Sequence, residues 1–207
     1  MSSTLVRVGG VAAVIAGLLV VVQEAWGLPG GGVVQEGFAE SAVHTAQLLF
    51  MVFGVIGIAL AQQRKAGVFA QIAVLVAVLG CVAMFGVALT EITILPSLVE
   101  AGSPFGQAPP PAMDVAAISS FVVWIVGLML LSAGVLVTRV LPRIPAALLG
   151  GGLILGAVLR EAVPGVLVVY AIGFGWLGVA AFRMAGRNSA IVTRSTEHTS
   201  GHQQPTR

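Results

Sequence analysis

The sequence predicts an all-α membrane protein, a bundle of six transmembrane helices with both chain ends in the cytoplasm. Three observations lead to this prediction: the composition, the recurring apolar segments, and the separation of charge between the connections that join them. Hydrophobic residues make up 57% of the 207 residues and charged residues only 9%. Soluble proteins carry about 25% charged residues, and so few charges could not cover the surface of a soluble fold of this length.

The charges alternate from one connection to the next. All but one of the ten basic residues fall at the two ends and in alternate connections: Arg7, Arg64, Lys65, Arg139, Arg143, Arg183, Arg187, Arg194 and Arg207. Apart from Glu197, the acidic residues fall in the other connections: Glu24, Glu36, Glu40, Glu91, Glu100, Asp114 and Glu161. Because cytoplasmic loops retain Lys and Arg, this pattern predicts the basic side to be cytoplasmic. The basic residues occur singly or in pairs, so we expect no nucleic-acid partner.

A bilayer core about 30 Å thick needs about 20 helical residues, and six segments approach that length. We predict transmembrane spans over residues 5–22, 43–61, 66–90, 115–138, 144–159 and 163–182. The first should be retained rather than cleaved, because no small-residue cleavage region follows it and Trp26 suits an interfacial anchor. Pro96 is expected to stop the third at the latest.

The second half of the chain contains the least regular elements. Asp114 is predicted to cap the fourth span, and the fifth is short and carries three consecutive glycines at 150–152, so it should be thin or kinked. The sixth should begin at Val163, with Pro164 in its first turn. We predict a membrane domain over residues 1–186 and a polar, disordered cytoplasmic tail over residues 187–207.

Small residues recur at helical spacing on three spans, where they let helices approach closely in lipid. They are Gly9, Ala13 and Gly17 on the first, Gly152 and Gly156 on the fifth, and Ala171, Gly175 and Gly178 on the sixth. These faces are either contacts within one bundle or the interface of a homo-oligomer, and the sequence leaves both open. The expected partner in every case is the lipid bilayer.

One set of polar residues suggests a proton or substrate site on the outer side: Glu91, Arg160 and Asp114. Glu91 follows a long apolar run, and loss of hydration there would favour its protonated form. Arg160 is the one cation predicted on that side, so it could pair with Glu91, Asp114 or Glu24, or hold an anionic substrate.

A second set suggests a weak metal site. Glu36, Glu40 and His44 are four residues apart, so a helix would place them in one stripe with Gln47 at the next turn. Carboxylate and imidazole groups bind divalent metals or transfer protons. The alternative is a solvated helix entrance. A zinc site with three or four protein ligands would need Asp114 or Glu161 as well, and we expect no cofactor.

The sequence contains no phosphate loop, H-E-x-x-H zinc motif, nucleophile elbow or C-x-x-C pair. We therefore expect a non-enzymatic, multipass protein of a bacterial inner membrane with an accessory role, bacterial because Arg, Ala, Val and Gly are abundant. The alternative is a small secondary transporter with an acidic outer vestibule. A metal-dependent membrane enzyme is the third hypothesis.

Overall fold

The computed structural model describes residues 3–26, 38–63, 67–102, 111–159, 162–163 and 165–200. These residues form six α-helices and include no β-strand. The helices are α1 (Ser3–Trp26), α2 (Phe38–Gln62), α3 (Val68–Glu100), α4 (Pro111–Thr138), α5 (Arg143–Leu159) and α6 (Val168–Ser200). The prediction of an all-α fold is confirmed for this part of the chain.

Five of the described helices are long and apolar enough to cross a membrane: α1 to α4, and α6 over Val168–Gly186. Helix α5 is apolar but has 17 residues, which span about 25 Å at ~1.5 Å per residue. The outward faces carry large apolar side chains; Val68 is 73% exposed and Val158 is 74% exposed. Water would penalise such a surface, whereas lipid does not. The bundle is therefore of the membrane-protein type.

The helices pack in chain order and close on themselves. Each helix contacts the next one along the sequence, and α6 returns to pack along α1. The contacts of α1 with α2 and α6, and of α3 with α4, are the most extensive. This arrangement surrounds a central space that is filled by side chains over part of its length and open over the rest.

The small-residue stripe of α1 is used inside the chain. A Cβ atom added to Gly9 would overlap with Gly57 of α2, and one added to Gly10 would lie 2.7 Å from the carbonyl oxygen of Gly178 in α6. Ala13 is fully buried beside them. These residues let three backbones approach closely. The homo-oligomer that could form through the small-residue faces stays a prediction.

The prediction that Pro96 ends the third helix is wrong, because α3 continues through Pro96 to Glu100. Hydroxyl groups on both sides bond to main-chain carbonyls of the same helix: Thr93 donates to Leu89, and Ser97 donates to Thr93 and Ile94. Pro96 removes one main-chain hydrogen bond, the one to the Ile92 carbonyl, and a proline can kink a helix without ending it.

The sixth helix differs from the prediction at both ends. It begins at Val168 rather than Val163, because Gly165 adopts a φ of +79° in the preceding turn, a conformation that a continuous helix does not allow. Pro164 lies outside the described residues. The helix then continues to Ser200, so residues 187–200 are helical rather than without secondary structure. Extending an existing helix needs no new nucleation step.

Candidate functional site

A cavity of about 660 Å³ lies between the helices at one end of the bundle. All six helices contribute to its lining. The lining residues lie toward the C-terminal ends of α1, α3 and α5 and toward the N-terminal ends of α2, α4 and α6, so they meet on one side. This is the side on which the sequence places the acidic connections. The volume is within the range of about 300–1,000 Å³ that is typical of small-molecule sites. We call it the acidic cavity.

Carboxylates from three helices line the acidic cavity: Glu24 of α1, Glu40 of α2 and Glu91 of α3. Glu24 and Glu40 are half-buried, and Glu91 is exposed. The described lining residues include no Lys or Arg. Low-dielectric walls that carry charges of one sign concentrate the electrostatic potential in the space between them. Among the described lining residues, the three carboxylates are therefore not offset by a Lys or Arg side chain.

The positions of these carboxylates follow from helix geometry. Glu40 and His44 are one turn apart on α2, so both reach the same side of the helix, and Ser41 lines the cavity beside them. Glu24 lies in the last turn of α1, where the negative end of the helix dipole disfavours a carboxylate. A positive charge held near Glu24 would relieve this unfavourable placement.

The deep end of the acidic cavity is formed by an amide and aromatic rings. Gln47 is 3% exposed, and its Nε2 atom donates to the hydroxyl oxygen of Tyr170 at 3.4 Å. The ring of Trp124 meets Tyr170 edge to face, with centroids 6.2 Å apart, and stacks on Phe121 at 5.7 Å. Trp124 Nε1 in turn donates to Met51 Sδ at 3.3 Å, which fixes the indole in place.

The carbonyl oxygen of that same amide, Gln47 Oε1, is buried and has no hydrogen-bond partner within the described part of the chain. Buried polar atoms in folded proteins are nearly always hydrogen-bonded. An acceptor without a donor at the deep end of a cavity is therefore a feature that a ligand or a water molecule would satisfy.

The bundle is tightly packed beyond this deep end. Met51, Val55 and Ile58 of α2 and Phe174 of α6 are fully buried there. A second space, of about 10 Å³, lies near Gln62 and is at the lower limit for one water molecule. The acidic cavity is therefore closed toward the opposite end of the bundle.

The predicted proton or substrate set is only partly brought together. Glu91 lines the acidic cavity, whereas Asp114 is exposed in the first turn of α4 and is not among the residues that line it. Asp114 lies inside the helix, which begins at Pro111, rather than capping it. Arg160 lies outside the described residues, and its pairing with Glu91 stays a prediction.

The structure describes only part of the predicted metal site. Glu40 and His44 both line the acidic cavity, while Glu36 and Glu161 lie outside the described residues. Among the residues that are described, no group of three or more His, Cys, Asp or Glu side chains could hold a metal ion. The three-residue metal site stays a prediction.

Sequence reasoning missed the aromatic floor. Phe121 and Trp124 are three residues apart, so they share a face of α4, which was an available signal. No sequence signal indicates Tyr170, because its contact with Gln47 joins helices that are distant in sequence.

Comparison with family models, with curated proteins and with solved structures finds no similar protein. Function must therefore be inferred from the acidic cavity itself.

Proposed function

We propose that this chain is a six-span membrane protein, with both ends cytoplasmic, that binds a small solute in the acidic cavity and acts as a secondary transporter. The acidic cavity carries this proposal, because all six helices line it and its carboxylates and buried amide converge on one space. An accessory role that depends on a partner protein gives no reason for such a space. We therefore favour the transporter over the accessory role.

The packing supports a transporter in an outward-open conformation. The cavity is closed beyond Trp124 and Tyr170 by fully buried side chains such as Met51 and Phe174. Alternating access requires a central site that is open to one side and closed to the other. Close glycine contacts between helices, such as Gly9 with Gly57, would let helices move as paired units around this site.

The charge distribution supports the orientation. The cavity lies at the end that carries Glu24, Glu40 and Glu91, while the basic residues Arg139 and Arg143 lie at the other end of α4 and the start of α5. The positive-inside rule makes the basic end cytoplasmic. A bacterial inner membrane would then expose the cavity to the periplasm.

Transport can be tested by uptake into proteoliposomes of three labelled solutes that do not cross lipid readily: putrescine, mannitol and succinate. We expect faster uptake of one of them than into protein-free liposomes. Ala157→Trp places a large side chain at the cavity wall and should abolish the uptake. Val158→Trp is the matched control, because Val158 faces outward and is 74% exposed. Wild-type uptake that equals protein-free uptake for all three solutes would contradict transport.

A further inference from the structure

The acidic cavity contains an unsatisfied acceptor at its deep end and carboxylates nearer its mouth. Gln47 is 3% exposed, and its Oε1 atom has no donor among the described residues. Glu24, Glu40 and Glu91 line the same space. All four groups accept hydrogen bonds or attract positive charge, so a ligand that suits them carries N–H or O–H donors and a positive charge.

We propose that the ligand of the acidic cavity is a small organic ammonium ion, whose N–H group donates to Gln47 Oε1 while the carboxylates nearer the mouth of the same cavity balance its charge. This inference rests on the proposed solute-binding function and specifies its ligand class. The hydrogen bond from a charged donor would satisfy an acceptor for which the described residues provide no donor.

The aromatic floor favours a cation with an apolar portion. Tyr170 accepts a hydrogen bond from Gln47, and the ring of Trp124 lies against Tyr170 with the two centroids 6.2 Å apart. Indole and phenol rings attract ammonium groups through their quadrupole. Leu48, Met84 and Leu153 also line the cavity, and they provide apolar surface for an alkyl chain.

The same features argue against an inorganic cation. A hard ion such as Ca²⁺ needs about six to eight oxygen ligands at ~2.3–2.6 Å, and no described cluster of three acidic or histidine ligands has a metal-binding arrangement. A cavity of about 660 Å³ with aromatic walls is large for a bare ion. Its size and lining match a molecule of several carbon atoms.

The test uses the protein in nanodiscs with one engineered thiol. Ser41→Cys places a reactive group at the cavity wall, and the native Cys81 is fully buried, so background labelling should be low. Three probes of equal chain length compete with a maleimide: n-butylammonium, 1-butanol and butyrate. We expect n-butylammonium to protect the thiol at a lower concentration than either of the other two.

Two changes at Gln47 test the proposed contact on the same background. Gln47→Leu removes the acceptor and should raise the half-protecting concentration of n-butylammonium about tenfold. Gln47→Glu adds a negative charge to the same position and should lower it. Gln71→Leu is the matched control, because Gln71 is exposed on α3 and is not a lining residue. Equal protection in wild type and both Gln47 variants would overturn the contact.

The outcomes separate the ligand class from the function. Stronger protection by 1-butanol or butyrate would overturn the ammonium assignment and leave the solute-binding function intact. Absence of protection by all three probes would also overturn the assignment. The proteoliposome assay then decides the function independently, since uptake of mannitol or succinate would retain it and absence of all uptake would remove it.

Discussion

The hydroxyl of Thr138 donates a hydrogen bond of 2.8 Å to Gln62 Oε1 and thereby joins the last residue of α4 to the last residue of α2. Gln62 is 4% exposed, and its Nε2 atom donates to the Ile58 carbonyl at 3.3 Å. Both polar atoms of this amide are hydrogen-bonded, whereas Gln47 Oε1 has no donor among the described residues. The bond lies at the end of the bundle opposite to the acidic cavity, where it links two helices that do not follow each other in the chain.

Removal of this hydroxyl should destabilise the protein. Thr138→Val leaves Gln62 Oε1 buried without its donor, which we expect to lower the free energy of unfolding by about 1–3 kcal/mol. Thermal unfolding of the purified protein in detergent measures the change. The double variant Thr138→Val with Gln62→Leu should recover most of the loss, because neither partner is then left unpaired. Thr90→Val is the control, since Thr90 bonds to Gly86 of its own helix; an equal loss there would contradict the interpretation.

Two adjacent glycines in α5 should respond differently to the same change. A Cβ atom at Gly152 would overlap with the backbone of Tyr170 in α6, whereas one at Gly151 meets nothing within 4 Å. Gly152→Ala should therefore cost about 1–3 kcal/mol of unfolding free energy through overpacking. Gly151→Ala should be neutral or stabilise by up to about 1 kcal/mol. Equal melting temperatures for the two variants would show that α5 does not pack on α6 in this register.

Intrinsic fluorescence can report on occupancy of the cavity. Trp124 lines it and is 8% exposed, whereas Trp26 and Trp176 are each 45% exposed and are not lining residues. Titration with n-butylammonium should change the tryptophan emission. The change should persist in Trp26→Phe and Trp176→Phe and disappear in Trp124→Phe. A change that persists without Trp124 would place the bound probe elsewhere.

The two acids of the first predicted site can be compared directly. Glu91→Gln removes a charge from the wall of the acidic cavity and should raise the half-protecting concentration of n-butylammonium several-fold, since it weakens the electrostatic attraction of a cation to the cavity. Asp114→Asn removes a charge that lies outside the cavity and should have little effect. The Ser41→Cys protection assay measures both, and a larger effect at Asp114 would contradict the assignment of Glu91.

The orientation can be tested by thiol labelling of intact cells. Ser41→Cys should react with a membrane-impermeant maleimide added outside. Gln63→Cys, which adjoins the basic turn at the other end of α2 and is exposed, should react only after permeabilisation. Cys81 is fully buried, so the parent protein provides the background. Reaction of Gln63→Cys in intact cells would reverse the assignment of sides.

The helices could be predicted because each depends on a long apolar segment that the sequence shows directly. Their ends could not, because they depend on local backbone details. Helix α3 continues past Pro96, because one proline removes a single main-chain hydrogen bond and can kink a helix without ending it, and the positive φ of Gly165 delays the start of α6. Neither effect is visible in hydropathy.

The candidate site was predictable only where its residues share a helix. Glu40, His44 and Gln47 follow helical spacing, and they line one cavity as that spacing indicates. The approach of Trp124 and Tyr170 to Gln47 requires α2, α4 and α6 to surround a common centre. That arrangement depends on contacts between helices that are distant in the chain. Such contacts leave no local pattern in a single sequence.

The closure of α6 onto α1 has a consequence for biogenesis. Helix α1 is synthesised before α6, so the contact between Gly10 and Gly178 cannot form until α6 has been made. No translation intermediate that lacks α6 contains the complete acidic cavity. A nascent chain halted before α6 should therefore expose the face of α1 that packs on α6 in the complete bundle. Membrane chaperones and quality-control proteases can act on this exposed face.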